Sequence, residues 1–298
     1  MSRFRLPLAV TALATVWLLA LAPASARAGD DWSLKSNAAL VVDQDTGEAL
    51  VSKNADVKMP IASLTKLMTA LVVVESRLPM DEMLEIGNED VDREKHTRSR
   101  LKVGTKLKRS DMLLLALMAS ENRAAMALSR HYPGGRTAFI AHMNVVARSL
   151  GMTSTQFADP AGLSDRSIST ARDLHRLMSA VDLQPVIRRY STQAEAQIKV
   201  GRQTLTFVNT NRLVRSTSGG RDWDIALQKT GFTNEAGRCL VMRATTLNHH
   251  LSMVFLNSEG TLTRFADAAR VRQVLAKRAK QPKPARGQLI ASESKAAS

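Results

Sequence analysis

The spacing of apolar side chains divides the chain into a strand-rich start, a helical middle and a strand-rich end. Ala39-Leu40-Val41-Val42 and Ala49-Leu50-Val51 flank a turn-rich spacer, Asp43 to Gly47, and predict a hairpin. From Ser63 to about Arg77, Leu64, Leu67, Met68, Leu71 and Val74 recur at helical spacing, with Pro60 just before this stretch and Pro79 just beyond it. Met112 to Met118 is densely apolar and predicts a buried helix with Ser110 as its N-cap. Three further helices are expected. One covers Asn122–Arg130, ended by Pro133-Gly134-Gly135; the next covers about Thr137 to Leu150, stopped by Gly151; the last starts at Thr170, with Asp173 in a capping-box position. Beyond about residue 195 the period changes. Gln203–Val208, Ile225–Lys229, Arg238–Thr245 and Leu251–Leu256 predict strands, and Arg264 to about Lys280 predicts a closing helix.

Strands at both ends with helices between them suit an α+β fold. The first hairpin joins the late strands in one antiparallel sheet, the final helix covers one face, and the middle helices cover the other. The chain of 298 residues is long enough to bury a substantial core. Its first 28 residues lie outside that scheme. Arg3 and Arg5 precede an apolar run from Leu6 to Ala22, and small residues ending in Ala26-Arg27-Ala28 follow, the order of a cleaved secretory signal. An uncleaved membrane anchor is the alternative, though the run is short for a span and contains Pro7. The expected organisation is a signal peptide over 1–28, the folded domain over 29–280, and a basic, disordered tail over 281–298.

Composition narrows the function. The formal charge of +15 falls to +12 when residues 1–28 leave, since three arginines and no acidic residue go with them. Nucleic acid is the habitual partner of such a chain, but export and an aromatic content of only 4% argue against it. Anionic wall polymer or lipid headgroups remain as electrostatic neighbours, alongside plain solubility. The basic stretch 93–110 is expected to be a solvated loop or hairpin rim. Cys239 is the only cysteine, which rules out an intramolecular disulfide, and its apolar setting suggests a buried small hydrophobe. The six histidines show no metal-ligand spacing, and adjacent His249 and His250 look like a solvent-facing turn; no metal and no cofactor are expected.

Three short motifs carry candidate chemistry. Ser63-Leu64-Thr65-Lys66 puts a hydroxyl and an amine three residues apart on one helical face. A lysine whose pKa is lowered can act as base for such a serine. The same spacing occurs at Ser99-x-x-Lys102 and Ser292-x-x-Lys295, but only Ser63 opens an apolar helix. Ser120-Glu121-Asn122 falls at a junction of two helices. Lys229-Thr230-Gly231 ends a predicted strand, where lysine and threonine can hold a carboxylate and glycine permits close backbone approach. Taken singly, each has a structural explanation as a helix-face pair, a helix cap or a strand end.

Together and in this order, the motifs resemble the active-site triplet of penicillin-binding proteins and serine β-lactamases. The flanks Pro60 to Ala70, Phe157-Ala158-Asp159-Pro160-Ala161-Gly162-Leu163 and Lys229 to Gly237 resemble the low-molecular-mass D-alanyl-D-alanine peptidases. Leu113 to Ala125 and His131-Tyr132-Pro133-Gly134-Gly135 are most similar to the endopeptidase branch, of the penicillin-binding protein 7 type. The likeness spans about residues 37–278. It implies a DD-peptidase/β-lactamase-like fold with an antiparallel sheet, helices on both faces and an all-helical subregion. It implies Ser63 as nucleophile, Lys66 as its base and Ser120 as proton relay. Asn122, Lys229, Thr230, Gly231 and Thr233 would bind substrate, and the backbone amides of Ser63 and Phe232 would form the oxyanion hole. The implied ligands are peptidoglycan peptides and covalent β-lactam inhibitors, and the implied location is the periplasm. The triplet does not separate an endopeptidase that opens crosslinks from a carboxypeptidase that trims a terminal D-alanine. The branch-like flanks favour the endopeptidase, as does a C-terminal tail without the apolar face of an anchoring helix. A β-lactamase is a further alternative, but no Glu-x-x-Leu-Asn follows Asn122. A catalytically inactive wall-binding module would need a broken triplet, and this one is complete.

Overall fold

The computed structural model describes residues 32–215 and 222–280. The expected signal segment, the tail and the Ser292-x-x-Lys295 pair lie outside the described residues. The centre is an antiparallel sheet of five strands in the order β2 (Ala49–Lys53), β1 (Ala38–Asp43), β11 (His249–Ser258), β10 (Gly237–Thr246), β9 (Asp224–Thr233). The first hairpin thus joins the late strands through Ala38↔Leu256 to Asp43↔Leu251, so the ends of the chain meet in one sheet.

Both faces of this sheet are covered, as the residue pattern of β1 requires. Ala38 and Leu40 face one core, Ala39 and Val41 the other, and all four are buried. On one face the helix α8 (Thr263–Lys280) lays Phe265, Ala268, Val271 and Leu275 against Met253 and Phe255. On the other lies the larger core, formed by α1 (Lys66–Glu75), α2 (Arg109–Met118), α3 (Asn122–Arg130), α4 (Gly135–Ser149), α5 (Ala171–Asp182) and α6 (Pro185–Thr192). Short pairs tie the connections down: β3 (Met59–Pro60) with β6 (Ile168–Ser169), β4 (Met83–Glu85) with β5 (Lys106–Lys108), and β7 (Glu195–Val200) with β8 (Gln203–Val208). A four-residue turn of helix, α7 (Arg212–Arg215), follows. No helix among the described residues is long and apolar enough to cross a membrane.

Several expectations shift on this framework. The helix expected from Ser63 starts at Lys66, because Ala62 adopts φ +46° and the chain first makes a 3-10 turn, Ala62–Thr65. Ser110 does not cap α2; Lys108 holds that position, and no side chain caps it. Thr170 does cap α5, its hydroxyl accepting from the Asp173 amide. The basic stretch 93–110 is mostly exposed, but Arg109 is only 1% exposed, its guanidinium donating to Pro79 O and paired with Glu82. His249 and His250 are not the turn. Leu247 and Asn248, at φ +48° and +62°, make it, and the two histidines open β11 against Asp43 and Asp45. Helix α6 and strand β7 were not expected at all. Cys239 is fully buried, and burial pushes its thiol up to about 11.

Candidate active site

Three segments meet where the 3-10 turn, the α2–α3 junction and the edge strand β9 converge. Lys66, the first residue of α1, is 0% exposed, and its ammonium has three donors for three acceptors. Nζ donates to Ser63 Oγ at 2.9 Å, Asn122 Oδ1 at 2.6 Å and Ala161 O at 2.7 Å. Burial pushes its pKa down to about 8, against the pull of Asp159, Glu121 and Asp92, which favour the charge. The fall comes from desolvation.

A second pair stands opposite. Lys229, also 0% exposed, donates to Ser120 Oγ and to Thr230 O, both at 2.9 Å. Burial holds its pKa well below the ordinary lysine value, with repulsion from Lys66 and then from Arg264 adding to it. Ser120 follows the end of α2 at φ +58°, a left-handed turn that reverses the chain before α3. Thr230 donates to Thr210 Oγ1 at 2.6 Å. The triplet lies inside β9, not at its end, because the strand continues to Thr233. β9 is the outermost strand of the sheet, and its Gln228 amide donates to Ser191 Oγ of α6.

The strand approaches the Ser63 segment closely. A Cβ on Gly231 would lie 3.2 Å from Ser63 N and 3.0 Å from Ile61 O, so a side chain there would push the strand off the turn. The Ser63 amide and the β9 backbone leading to Phe232 are therefore neighbours. The Phe232 ring is 51% exposed, with the Arg238 guanidinium 4.2 Å from its centroid. Thr233 Oγ1 accepts from the Ala236 amide and closes the β9–β10 turn.

Other groups complete the site without belonging to the triplet. The carboxylate of Asp159 accepts from the amides of Ala161, Gly162, Leu163 and Ser164, curling this loop so that Ala161 O meets Lys66. Asn122 Nδ2 donates to Thr97 Oγ1 at 2.9 Å, and Thr97 donates to Asp92 Oδ2 at 2.7 Å. Lys95 pairs with Glu235 across to the β9–β10 turn. Arg264 is only 7% exposed, its Nε and Nη1 have no hydrogen-bond partner, and burial pushes it down to about 10. It lines a cleft with Thr210, the partner of Thr230. The sequence offered a signal for Asp159 and Ala161, which lie in a recognised flank. It offered none for Thr97 or Arg264. Among the described residues, no group of three or more histidines, cysteines or carboxylates could hold a metal ion.

The α+β fold and the paired serine–lysine clusters define a serine peptidase of the penicillin-binding architecture. The chain belongs to peptidase family S11, described as D-alanyl-D-alanine carboxypeptidase, whose match covers residues 24–260. It is 48% identical over 244 residues to a D-alanyl-D-alanine endopeptidase of Pseudomonas aeruginosa, covering 81% of this chain and 77% of that one. It is 45% identical over 251 residues to a D-alanyl-D-alanine endopeptidase of Escherichia coli, covering 84% and 80%. Among solved structures it resembles the Streptomyces K15 DD-transpeptidase at a TM-score of 0.73 and 29% identity, over 81% of this chain and 97% of that one. It also resembles penicillin-binding protein D2 of Listeria monocytogenes, in an ampicillin-bound form, at a TM-score of 0.69 and 30% identity, over 83% and 99%.

Proposed function

We propose that the chain is an exported DD-endopeptidase that opens peptide crosslinks of peptidoglycan through an acyl-enzyme on Ser63. The observation that carries this reading is the buried Lys66 amine, lowered to about 8 and 2.9 Å from Ser63 Oγ. In its neutral form Lys66 keeps two donors for Asn122 Oδ1 and Ala161 O and turns its lone pair to the Ser63 hydroxyl. Ser63 Oγ then attacks the carbonyl carbon of the penultimate D-alanine and gives its proton to Lys66. The oxyanion accepts from the amides of Ser63 and Phe232, an arrangement worth about 3 kcal/mol per donor. On collapse the C–N bond breaks, and the leaving amine takes a proton from Ser120, which is resupplied by Lys229. Asn122 holds both the substrate amide and Lys66. Lys229 and Thr230, with Arg264 behind Thr210, receive the carboxylate beside the leaving nitrogen, while Gly231 and Thr233 shape the strand that the peptide lies along. Water finally releases the acyl group.

The near relatives named endopeptidase favour crosslinks as substrate. The family description, and a relative in Bacillus subtilis named carboxypeptidase at 28% identity, keep terminal D-alanine release as the second reading. The carbonyl of Ala161, rather than a carboxylate, stands against Lys66 and Ser63, which supports slow release of a bound β-lactam. In this reading residues 1–28 direct export to the periplasm, 29–280 are the enzyme and 281–298 a basic tail. Incubation with purified crosslinked peptide dimers and with pentapeptide monomers separates the two activities. We expect monomer products from dimers; release of D-alanine alone would establish the carboxypeptidase.

A further inference from the structure

Thr210, which accepts from the Thr230 hydroxyl, lines a cleft of about 400 Å³. Its floor is the near-buried Arg264, whose Nε and Nη1 lack partners, and its rim carries Arg212 and Arg215, both exposed. Thr210 joins it to Thr230, and none of the described residues lining it is acidic. The rim is firmly held. The Thr210 amide donates to Met118 O at the end of α2, just before Ser120. Asn209 Nδ2 donates to Ser191 O and Gln193 O, and Gln228 of β9 donates to Asn209 Oδ1 at 2.9 Å. The segment bearing both rim arginines is thus fixed to the same two elements that carry Ser120 and Lys229.

One carboxylate leaves such a cleft largely unfilled. The volume lies in the range of about 300–1,000 Å³ typical of sites for whole ligands. Three guanidinium groups around one cleft disfavour one another unless several anionic groups arrive with the ligand. Free D-alanine brings one carboxylate. The strand leaving a crosslink brings the one beside its amine and at least its own C-terminal carboxylate. We propose that Arg212 and Arg215 bind a second carboxylate of the leaving peptide strand, making this cleft the specificity site that separates crosslinks from terminal D-alanine. This rests on the endopeptidase reading above. Arg264 and Thr230 take the carboxylate nearest the broken bond, and the rim arginines take the one farther along the strand.

The test uses the full chain and its double variant Arg212→Gln/Arg215→Gln. The substrates are a defined crosslinked dimer, the same dimer with the distal carboxylate of the leaving strand amidated, and a pentapeptide monomer. Acylation by labelled penicillin reports folding and the chemistry at Ser63. For the double variant we expect kcat/KM on the free-acid dimer to fall at least tenfold, chiefly through KM. D-alanine release and penicillin acylation should stay within about twofold. Amidation should cost the wild type a similar factor and the variant almost nothing, and Arg212→Lys/Arg215→Lys should recover most of the loss. An unchanged rate on the dimer, or equal losses on dimer and monomer, would overturn the assignment while leaving the endopeptidase intact. A wild type that released D-alanine but opened no dimer would overturn both.

Discussion

In the proposed mechanism the reactivity of the site rests on Lys66, whose burial works against its charge. At a pKa of about 8, roughly one Lys66 in ten is neutral at pH 7; at the ordinary 10.5 it would be about one in three thousand. Activity that needs the neutral amine therefore rises with pH up to about 8 and levels off above it. Lys66 and Lys229 also disfavour each other's charge. The acid limb of kcat/KM, which reports the free enzyme, should lie near pH 8. A limb near the ordinary lysine value of 10.5 would contradict the effect of burial. The residue types of the triplet were legible in the sequence, but their environment was not. Spacing put Ser63 and Lys66 on one face, yet only the fold shows how completely the Lys66 amine is buried.

Among the elements, those with a strong apolar period were legible nearly to the residue. Helix α3 and strand β8 have the bounds their spacing predicted. Helix α6 escaped because it is short and buries only Ile187 and Ser191, whereas β7 carried a readable strand signal in Ala196 and Ile198 alternating with Glu195, Gln197 and Lys199. The 3-10 turn at Ser63 also escaped, since it is imposed from outside. Gly162, at φ +74°, lies so close to this turn that a Cβ would sit 1.8 Å from Ala62 O and 2.8 Å from Thr65 Oγ1. The loop that supplies Ala161 O is thus pressed directly against the Ser63 turn. Gly162→Ala adds left-handed strain to an overlap with backbone that cannot swing away, together roughly 2–5 kcal/mol. A fall in Tm of roughly 5–15 °C, with slowed penicillin acylation, is expected in thermal denaturation and labelling assays. An unchanged Tm would show that the two segments are not in contact.

For the molecule as a whole, the arrangement of layers was legible because strands at both ends of the chain with helices between leave few ways to close one core. The meeting of the three motifs was legible only through resemblance. Their separations in sequence, from Ser63 to Ser120 to Lys229, carry no geometric information until α2 and β9 are packed beside the 3-10 turn. That convergence underlies the whole account, and trapping the acyl-enzyme tests it most directly. The purified chain, incubated with penicillin, digested and mapped by mass spectrometry, should carry one stoichiometric adduct on the peptide containing Ser63, and Ser63→Ala should carry none. An adduct on another residue, or one that persists in Ser63→Ala, would contradict the account.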